Sequence, residues 1–364
     1  MTPWLDSIDW QPFLVRPRLP SPDLEVLDDL YLESILITGA GGSTGTALAQ
    51  RLAAITPSSL VLLDSSENRL YKLQQEWARM ALPGSIKPIL GSVADRTLLD
   101  EVFTVHAPRF VFHAAAFHHV ALMEEQPLAA IYNNVFGAMR LVRAASVRNA
   151  RVVHVSADKA VDPTSLMGAT KRLAEMIVLA AGGTVLRLGN ILGNPDGVTE
   201  VFARQLAAGQ SLTVTHPAAR RHFLTLDEAV NMLLIAAVEP GAPLLLAPEL
   251  SAPHYIADLA GFMARTLAPD RAVEIDFTAL RPGDKEVEQL WSSRETVRPA
   301  RSKGLLRIES PVPTDAELDT PLANLAAAVE ARDRAAALAL LCELVPEYTP
   351  GPAVLARVGQ RISS

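Results

Sequence analysis

The chain has 364 residues, of which 49% are hydrophobic and 20% charged, and its formal net charge is −7. This length and composition favour a globular protein with two lobes over a disordered or fibrous chain. The acidic balance argues against a nucleic-acid partner, because binding a phosphate backbone requires a basic face. Cys342 is the single cysteine, so neither an internal disulfide nor a thiolate metal cluster can form.

Targeting and metal-binding signals are absent from the sequence. No run approaches the roughly 18 to 20 apolar residues that span a bilayer, and the stretch MTPWLDSIDWQPFL carries acids where a signal peptide carries bases. We therefore expect no membrane span and a cytoplasmic location. The eight histidines show no metal-ligand spacing, so we also expect no metal.

Short apolar runs alternate with amphipathic segments between residues 34 and 188. The runs SILIT, LVLL, RFVFH, RVVHV and TVLRL predict buried parallel strands. In one amphipathic segment, Leu70, Leu73, Trp77 and Met80 recur at the spacing of a single buried helical face. The alternation predicts an α/β protein with a Rossmann-type doubly wound parallel sheet.

A glycine-rich motif, ITGAGGSTG, follows the first predicted strand and opens the next helix. Gly39 permits the tight turn, Gly42 lets backbone amides approach a pyrophosphate, and Gly45 lets the helix pack closely on the strand. The helix N-terminus at Ser43 and Thr44 then faces the phosphate charge. This order of elements predicts a dinucleotide cofactor.

Two further segments complete the predicted cofactor site. Asp64 ends the second strand, where a carboxylate can accept hydrogen bonds from both ribose hydroxyls and repel a 2′-phosphate, so NAD is favoured over NADP. The alternative is that Asp64 only caps the helix that begins near Ser66. Ala114 and Ala115, which follow RFVFH, are the other predicted cofactor contacts.

The pattern divides the chain into parts with different expected roles. LDEAVNMLLIAAV is expected to return to the main lobe, VEIDFTAL predicts a further strand, and the alanine- and leucine-rich stretch 322–344 is expected to pack on the body or on another subunit. The expected parts are an N-terminal extension (1–33), an NAD-binding Rossmann domain (34–188, with 226–250 returning to it), a smaller C-terminal substrate-binding lobe (189–225 and 251–304, with a helix near 200–208) and a helical C-terminal extension (305–364).

Several motifs together resemble one enzyme family. They are ITGAGGSTG, LLDSSENRLY, FHAAAFHHVALMEEQP, NNVFGAMRLVRAA, VSADKAVDPTSLMGATKRLAE, LRLGNILG, LTVTHP and LRPGDKEVEQL, in this order. The region 34–290 is thereby similar to nucleotide-sugar 4,6-dehydratases of polysaccharide biosynthesis, in particular UDP-N-acetylglucosamine 4,6-dehydratases of the extended short-chain dehydrogenase/reductase superfamily. The resemblance implies bound NAD, oxidation at sugar C4, loss of water across C5 and C6, and hydride return to C6.

The resemblance also implies roles for a catalytic segment. Asp158 would act as the acid and Lys159 as the base of the elimination, which requires burial to raise the pKa of the aspartate and lower that of the lysine. An ion pair between them would move both values the other way. Lys171 would bind the nicotinamide ribose and add positive charge near the C4 hydroxyl. Met167, four residues before it, stands where related dehydrogenases have tyrosine.

This chain departs from the family pattern at two places. Ala157 replaces the threonine of STDK, which leaves Ser156 as the neighbouring hydroxyl. Phe117 and His118 replace a tyrosine and a lysine, and His118 could serve as a base or phosphate contact, or be a surface residue of a loop.

On the substrate side, Asn190 matches a position that touches the nucleotide sugar, and Arg221 and Arg281 match arginines expected at the diphosphate or nucleoside. Arg221 could instead be a solvated charge. The expected partner is a UDP-sugar, and we expect a homo-oligomer.

Three functions remain open at this level. The leading interpretation is an NAD-dependent 4,6-dehydratase acting on a UDP-N-acetylhexosamine. A nucleotide-sugar epimerase or oxidoreductase would oxidise C4 without loss of water. A non-catalytic homologue would keep the NAD and nucleotide-sugar sites while Ala157, Met167 and Phe117 mark lost chemistry.

Overall fold

The computed structural model describes residues 5–80, 82, 86–195 and 197–359; residues 1–4 and 360–364 of the predicted extensions lie outside them. The strands, in chain order, are β1 (Ser34–Thr38), β2 (Ser59–Asp64), β3 (Ile86–Leu90), β4 (Phe110–His113), β5 (Arg151–Ala157), β6 (Thr184–Leu188), β7 (Asn190–Leu192), β8 (Leu212–Val214), β9 (Arg220–Arg221), β10 (Phe223–Thr225), β11 (Leu244–Pro248), β12 (His254–Tyr255), β13 (Ile275–Phe277), β14 (Thr296–Pro299) and β15 (Leu305–Glu309).

The helices alternate with these strands over most of the chain. In chain order they are α1 (Gln11–Leu14), α2 (Leu24–Leu30), α3 (Ser43–Ala53), α4 (Glu67–Met80), α5 (Arg96–His106), α6 (Val120–Glu125), α7 (Pro127–Ala130), α8 (Gly137–Val147), α9 (Leu166–Ala180), α10 (Val198–Ala207), α11 (Leu226–Val238), α12 (Ile256–Leu267), α13 (Asp315–Glu330), α14 (Arg334–Leu344) and α15 (Pro352–Gly359), with a π-helix at Ile131–Phe136 and 3₁₀ turns at Leu5–Ser7 and Asp158–Ala160.

A nine-stranded sheet forms the centre of the molecule, in the order β14-β15-β11-β6-β5-β4-β1-β2-β3. Its strands run in one direction except for β15, which pairs antiparallel with both β11 and β14. All five strands predicted from apolar runs belong to it, which confirms the doubly wound α/β fold. The chain runs outward from β1 through β2 to β3 and then returns to β4, so a crevice opens at the carboxyl ends of β1 and β4.

Two layers of helices cover the sheet. One face packs against side chains of α5, α8, α9, α13 and α14, and the other packs against α2, α3, α4 and α11. Leu70, Leu73 and Trp77 of α4 are buried as predicted, but Met80 is 46% exposed. The buried face of α4 therefore ends one turn earlier than the spacing predicts. No helix in the described ranges combines the length and apolar character that crossing a membrane requires.

A smaller core lies beside the main sheet. It combines side chains of α10 and α12, such as Phe202 and Leu259, with Phe13 and neighbouring residues from the N-terminal segment. The strand predicted from VEIDFTAL is β13, which pairs with β8 rather than with the main sheet. Helix α11 returns to the main sheet, as predicted. The sequence pattern does not predict β14 and β15, which form one edge of the main sheet. Their residues were expected in the smaller lobe (β14) and in the helical C-terminal extension (β15).

The C-terminal helices cover α9. Residues 322–344 form parts of two helices, because Arg332 has a positive φ of 56° and Asp333 caps α14 by accepting the N–H of Ala336. Both helices contribute to the core that also contains α9, and residues 166–179 of α9 are buried throughout. Of the two expected placements for this stretch, the structure shows packing on the body of the same chain.

Candidate active site

The glycine turn between β1 and α3 has the geometry of a phosphate cradle. Gly39 has a positive φ of 68°, and a Cβ built on it would lie 2.7 Å from the backbone nitrogen of Ala115. A Cβ on Gly45 would lie 2.3 Å from the carbonyl oxygen of Gly39. Both distances are shorter than any side chain tolerates, so these two positions require glycine. Helix α3 begins at Ser43 directly after Gly42, which leaves its first amides at the crevice.

Replacing Gly45 with alanine should therefore force α3 away from β1. We expect a loss of about 1–3 kcal/mol in the free energy of unfolding, because the added methyl group meets backbone that cannot rotate away. Urea denaturation would measure it. The matched control is Gly261→Ala in α12, where the added Cβ meets only the far end of Arg265 at 3.3 Å. Equal stabilities of the two variants would contradict this prediction.

The other predicted cofactor residues gather around this turn. Ala114 donates its N–H to the carbonyl of Thr38 at 3.1 Å, so the segment after β4 lies beside the glycine turn. Ser43 Oγ donates to Asn194 Oδ1 at 3.2 Å, which joins α3 to the loop after β7. Thr44 lies in the first turn of α3 and is partly exposed.

Asp64 is buried at the end of β2 and holds the glycine turn in place. Its Oδ2 accepts the N–H of Gly41 at 2.9 Å, and its Oδ1 accepts the N–H of Ser66 at 2.8 Å. Each carboxylate oxygen can accept further hydrogen bonds. The contact with Ser66 agrees with the alternative of a role at the start of α4, while the ribose contact stays a prediction.

Asp158 and Lys159 form an ion pair in the 3₁₀ turn that follows β5. Lys159 Nζ lies 2.9 Å from Asp158 Oδ1, with the aspartate side chain 1% exposed and the lysine side chain 24% exposed. Lys159 Nζ also lies 3.4 Å from Oδ1 of Asn190, at the start of β7. Among the described residues, Asp158 Oδ2 has no hydrogen-bond partner although it is buried. The pair thus presents one unsatisfied carboxylate oxygen and one partly accessible amine.

The pairing changes the charge state expected for the lysine. Burial opposes the charged amine, but the carboxylates of Asp158 and Glu288 outweigh burial and raise the pKa of Lys159 above its ordinary value. The expected role of Lys159 as a base requires burial to lower this pKa, whereas an ion pair moves it the other way. The ion pair is the arrangement found, so Lys159 is an ammonium before substrate binds.

Lys171 and Met167 lie one turn apart on α9, and both are buried. Lys171 Nζ donates to the carbonyl of Val155 at 2.5 Å, which places its charge near the carboxyl end of β5. Burial lowers the pKa of Lys171 to about 8, although the Glu175 carboxylate acts in the opposite direction. Met167 offers no exchangeable proton, so Lys171 is the titratable side chain that this part of α9 brings to β5.

Two histidines lie close to Lys171, inside the sheet–α9 interface. His113 and His154 occupy paired positions on β4 and β5, with ring centroids 4.8 Å apart. His113 Nδ1 lies 2.8 Å from Thr38 Oγ1, whereas neither ring nitrogen of His154 has a partner among the described residues. Burial and the charge of Lys171 lower the pKa of His113 to about 3 and place that of His154 well below its usual range.

These buried histidines should make the fold sensitive to mild acid. Below pH 6.5 the unfolded chain takes up protons that the folded protein rejects, so the free energy of unfolding should fall between pH 7 and pH 5. His154→Leu should reduce this slope by up to about 1.4 kcal/mol per pH unit. Denaturation with urea at several pH values would measure it, with His119→Leu at an exposed position as the control. An unchanged slope in His154→Leu would refute the prediction.

Ser156 does not face the crevice, which corrects the expectation of a catalytic role. Its Oγ donates to Glu175 Oε1 at 2.6 Å, in a buried cluster under α9. Glu175 also accepts two hydrogen bonds from Arg187. Because successive side chains of a strand point to opposite faces, Ser156 and His154 share the α9 face. With Ala157 next to it, β5 presents no hydroxyl to the crevice at its end.

His118 lies on the exposed loop after β4, where its ring packs on that of His119 at 4.4 Å. Asn134 of the π-helix holds this loop, because its side chain bonds both the N–H and the carbonyl of Phe117. The arrangement agrees with the alternative of a surface loop residue, and a catalytic role for His118 stays a prediction.

The predicted substrate residues lie in three different environments. Arg221 is buried and donates to the backbone carbonyls of Arg220, Lys285 and Glu286, so its guanidinium holds the loop before β14. Arg281 is 62% exposed and pairs with Asp284 at 3.0 Å. Asn190 is close to Lys159, as described above. The geometry thus brings Asn190 and the charge of Arg221 to the Asp158–Lys159 pair.

Sequence reasoning missed several residues that shape this site. A Cβ on Gly168 would lie 2.3 Å from the carbonyl of Lys159, so this glycine allows α9 to approach the 3₁₀ turn at Asp158–Ala160. Glu175 and Glu288 are buried carboxylates. In the sequence, a glycine three residues before Lys171 could have indicated a close approach of α9 to another segment. Nothing in the neighbouring sequence indicates that these two glutamates are buried.

Comparisons with known proteins agree with the fold. A family model described as "Polysaccharide biosynthesis protein" matches residues 35–310. The capsular polysaccharide biosynthesis protein CapD of Staphylococcus aureus is 34% identical over 278 residues, covering 73% of this chain and 46% of that protein. The chain therefore spans about half the length of this relative.

Two other proteins extend the comparison. A UDP-glucose 4-epimerase of Rickettsia canadensis is 33% identical over 281 residues, covering 73% of this chain and 80% of that protein. The crystal structure of Pen from Bacillus thuringiensis superposes with a TM-score of 0.69 at 25% identity, covering 78% of this chain and 90% of Pen. From its sequence match and its fold, the chain belongs to the polysaccharide biosynthesis protein family.

Proposed function

We propose that this protein is an NAD-dependent nucleotide-sugar 4,6-dehydratase that acts on a UDP-N-acetylhexosamine. The observation that carries the proposal is the Asp158–Lys159 pair, which combines a buried carboxylate and an amine 2.9 Å apart. It lies at the carboxyl end of β5, where ligands bind in open α/β sheets. Residues 189–225 and 251–304 would supply the substrate lobe.

The glycine turn fits the proposed cofactor. A Cβ at Gly39 or Gly45 would clash with neighbouring backbone atoms. The amides at the start of α3 are available to bind a pyrophosphate. Asp64 would accept the ribose hydroxyls, and Lys171 would hold the ribose next to the nicotinamide. When bound, NAD would accept the hydride that leaves C4 and later donate it to C6.

The ion pair can generate both groups that the elimination needs. Transfer of one proton from Lys159 to Asp158 converts the ion pair into an amine and a carboxylic acid. Substrate binding favours this neutral form, because excluding water disfavours both charges. The amine then takes the C5 proton, which the C4 ketone acidifies, and the C5–C6 double bond forms while the C6–O bond breaks. The carboxylic acid protonates the departing hydroxyl, water leaves, and the ion pair is restored.

Oxidation at C4 needs a group other than tyrosine. Met167 and Ala157 cannot polarise the C4 hydroxyl, so this task would fall to the positive charge of Lys171. Since the pKa of Lys171 is lowered to about 8, this amine is charged at neutral pH and can still lose its proton in mildly alkaline solution. Asn190 would contact the sugar, and Arg281 would reach the diphosphate or nucleoside.

A second candidate is a nucleotide-sugar 4-epimerase. The Rickettsia canadensis relative that is named as a UDP-glucose 4-epimerase is 33% identical over 281 residues, which favours it. Epimerisation would use the same C4 oxidation but would leave the Asp158–Lys159 pair without a reaction at C6.

The two candidates differ in the mass of the product. Purified protein would be incubated with UDP-N-acetylglucosamine, and in parallel with UDP-glucose, in deuterated water. A product lighter by one water and carrying one deuterium supports the dehydratase. A product of unchanged mass that separates from the substrate by chromatography supports the epimerase. Binding of either nucleotide sugar with no product would contradict both candidates and favour the non-catalytic homologue.

A further inference from the structure

Residues 281–288 (the 281–288 loop) lie against the segment that follows β5 and its 3₁₀ turn. Lys285 Nζ donates to the carbonyl of Val161 at 2.6 Å. Thr164 Oγ1 donates to the carbonyl of Gly283 at 3.0 Å. Each side thus contributes one donor side chain and one acceptor carbonyl, and the two hydrogen bonds hold the loop and the segment together.

The backbone of Gly283 shows how closely these two parts of the chain approach. Gly283 has a positive φ of 85°, and a Cβ built on it would lie 2.8 Å from the Cβ of Ser165. Ser165 caps α9, because its side chain accepts the N–H of Gly168. The 281–288 loop therefore packs on the N-terminus of α9 as well as on the segment before it.

Val161 is the residue through which this contact reaches the Asp158–Lys159 pair. Its N–H donates to the carbonyl of Asp158 at 3.2 Å, which closes the 3₁₀ turn. Its carbonyl accepts the ammonium of Lys285, and its side chain is buried. Because the turn is only three residues long, a displacement of Val161 would change the directions of both Asp158 and Lys159.

Lys285 is itself held by two further contacts. Its side chain is 17% exposed, and its Nζ lies 3.3 Å from Oε2 of the buried Glu288. Its backbone carbonyl accepts Nη2 of Arg221, on β9, at 2.9 Å. Lys285 therefore connects β9 to the segment after β5, through its carbonyl on one side and its ammonium on the other.

We propose that Lys285 is a positioning residue, which through its hydrogen bond to Val161 keeps the 3₁₀ turn closed with Asp158 and Lys159 directed into the crevice. The catalytic consequence rests on the proposed dehydratase function. The elimination needs an acid and a base within reach of the adjacent C6 and C5 atoms, so an open turn would misplace both groups. Lys285 acts through Val161 and does not contact the reacting atoms.

The test is hydrogen–deuterium exchange of the intact protein, read by mass spectrometry in peptides that cover residues 158–165. The Val161 amide reports opening of the turn, because its hydrogen bond to Asp158 closes it. Lys285→Met removes the charged donor and keeps a long side chain. We expect exchange in this region to become about 10- to 100-fold faster. A peptide from α4 should exchange as in the parent protein, which shows that the molecule remains folded.

Three matched variants isolate the hydrogen bond. Lys285→Met also leaves Glu288 without its cation, so Lys285→Met combined with Glu288→Gln removes both charges and should exchange as fast as the single variant. Lys285→Arg keeps a charged donor and should return exchange towards the parent rate. Arg294→Met removes an exposed ion pair with the side chain of Asp162, next to Val161, and should accelerate exchange less than about 5-fold.

Parent-like exchange in folded Lys285→Met overturns the proposal. Fast exchange that Glu288→Gln reverses also overturns it, because an unpaired carboxylate would then be the cause. Equal acceleration in Arg294→Met and Lys285→Met overturns it as well, since any lost contact would have the same effect. Should Lys285→Met fail to fold, the combined variant, which leaves no unpaired carboxylate, carries the same comparison with the parent.

Exchange requires no turnover, so its outcome is independent of the proposed reaction. In an active enzyme, kcat per bound NAD should fall about 10- to 100-fold in Lys285→Met and recover in Lys285→Arg. KM for the nucleotide sugar should change less than about 3-fold, because the backbone carbonyl that holds Arg221 remains.

The two readouts separate the role of Lys285 from the assigned reaction. A rise in KM as large as the fall in kcat would show a general loss of site geometry and overturn the positioning role. Faster exchange in Lys285→Met, in a protein whose parent makes no dehydrated product, would reject the dehydratase assignment and keep the role of Lys285 in closing the turn.

Discussion

Lys159→Ala is expected to abolish the loss of water from the nucleotide sugar while leaving NAD binding intact. Lys159 is the proposed base for the C5 proton, and loss of such a group typically lowers a rate by about 10²–10⁴-fold. Lys159 follows β5, which β4 separates from β1 and its glycine turn in the sheet, so the cofactor site should keep its geometry. The rate of dehydrated product and the NAD content of the purified protein would be measured together.

The control for this variant is Lys72→Ala, which removes an exposed lysine of α4 and should change neither quantity. A parallel loss of NAD and of product in Lys159→Ala would show that the lysine is structural. Removing the amine also leaves the buried Asp158 carboxylate without its partner, so the folded fraction of each variant should be measured by circular dichroism before rates are compared.

Arg187→Met is expected to lower the free energy of unfolding by about 3–5 kcal/mol, because it leaves buried carboxylates unpaired. Arg187 is 1% exposed on β6 and forms ion pairs of 2.8 Å with both Glu175 and Glu295. It also donates to the carbonyl of Leu290 at 3.1 Å. The cluster therefore joins β6, α9 and the loop before β14. Urea denaturation at pH 7 would measure the loss.

The acid dependence of the parent protein follows from the same cluster. Burial opposes ionisation, yet Arg187 and its hydrogen bonds hold the pKa values of Glu175 and Glu295 below their ordinary values. Their contribution to stability is complete above the unfolded-state value of 4.5 and is lost as the pH falls below it. Arg298→Met, which removes an exposed ion pair with Glu309, is the control and should cost less than about 1 kcal/mol. A similarly small loss in Arg187→Met would be inconsistent with a tightly coupled cluster.

The α9 segment shows where sequence reasoning reaches its limit. The segment LMGATKRLAEMIVLA contains Lys171, Arg172 and Glu175, residue types that are seldom fully buried unless they are paired. In the structure, residues 166–179 are all buried, because α13 and α14 cover the side that the sheet leaves open. Arg172 reaches Glu347 beyond α14 at 2.7 Å. No local pattern encodes a partner that lies 175 residues away along the chain.

The candidate site divides in the same way. The positions of the glycine turn and Asp64 could be predicted from the apolar runs of the first two strands, and the position of the Asp158–Lys159 pair from the family resemblance. The direction of Ser156 could not be predicted, since it depends on which face of β5 meets α9. The raised pKa of Lys159 could not be predicted either, because one of the two carboxylates that raise it, Glu288, lies far away in the chain.

By itself, the sequence determined the doubly wound sheet, the glycine turn and the order of the candidate catalytic residues. These features depend on periodicity and on the conformational freedom of glycine, which act over a few residues. Tertiary structure alone decided that Ser156 joins a buried ion cluster, that β14 and β15 extend the sheet, and that Lys159 is an ammonium. Burial and Coulomb interactions depend on distance in space, and residues far apart in the chain supply them.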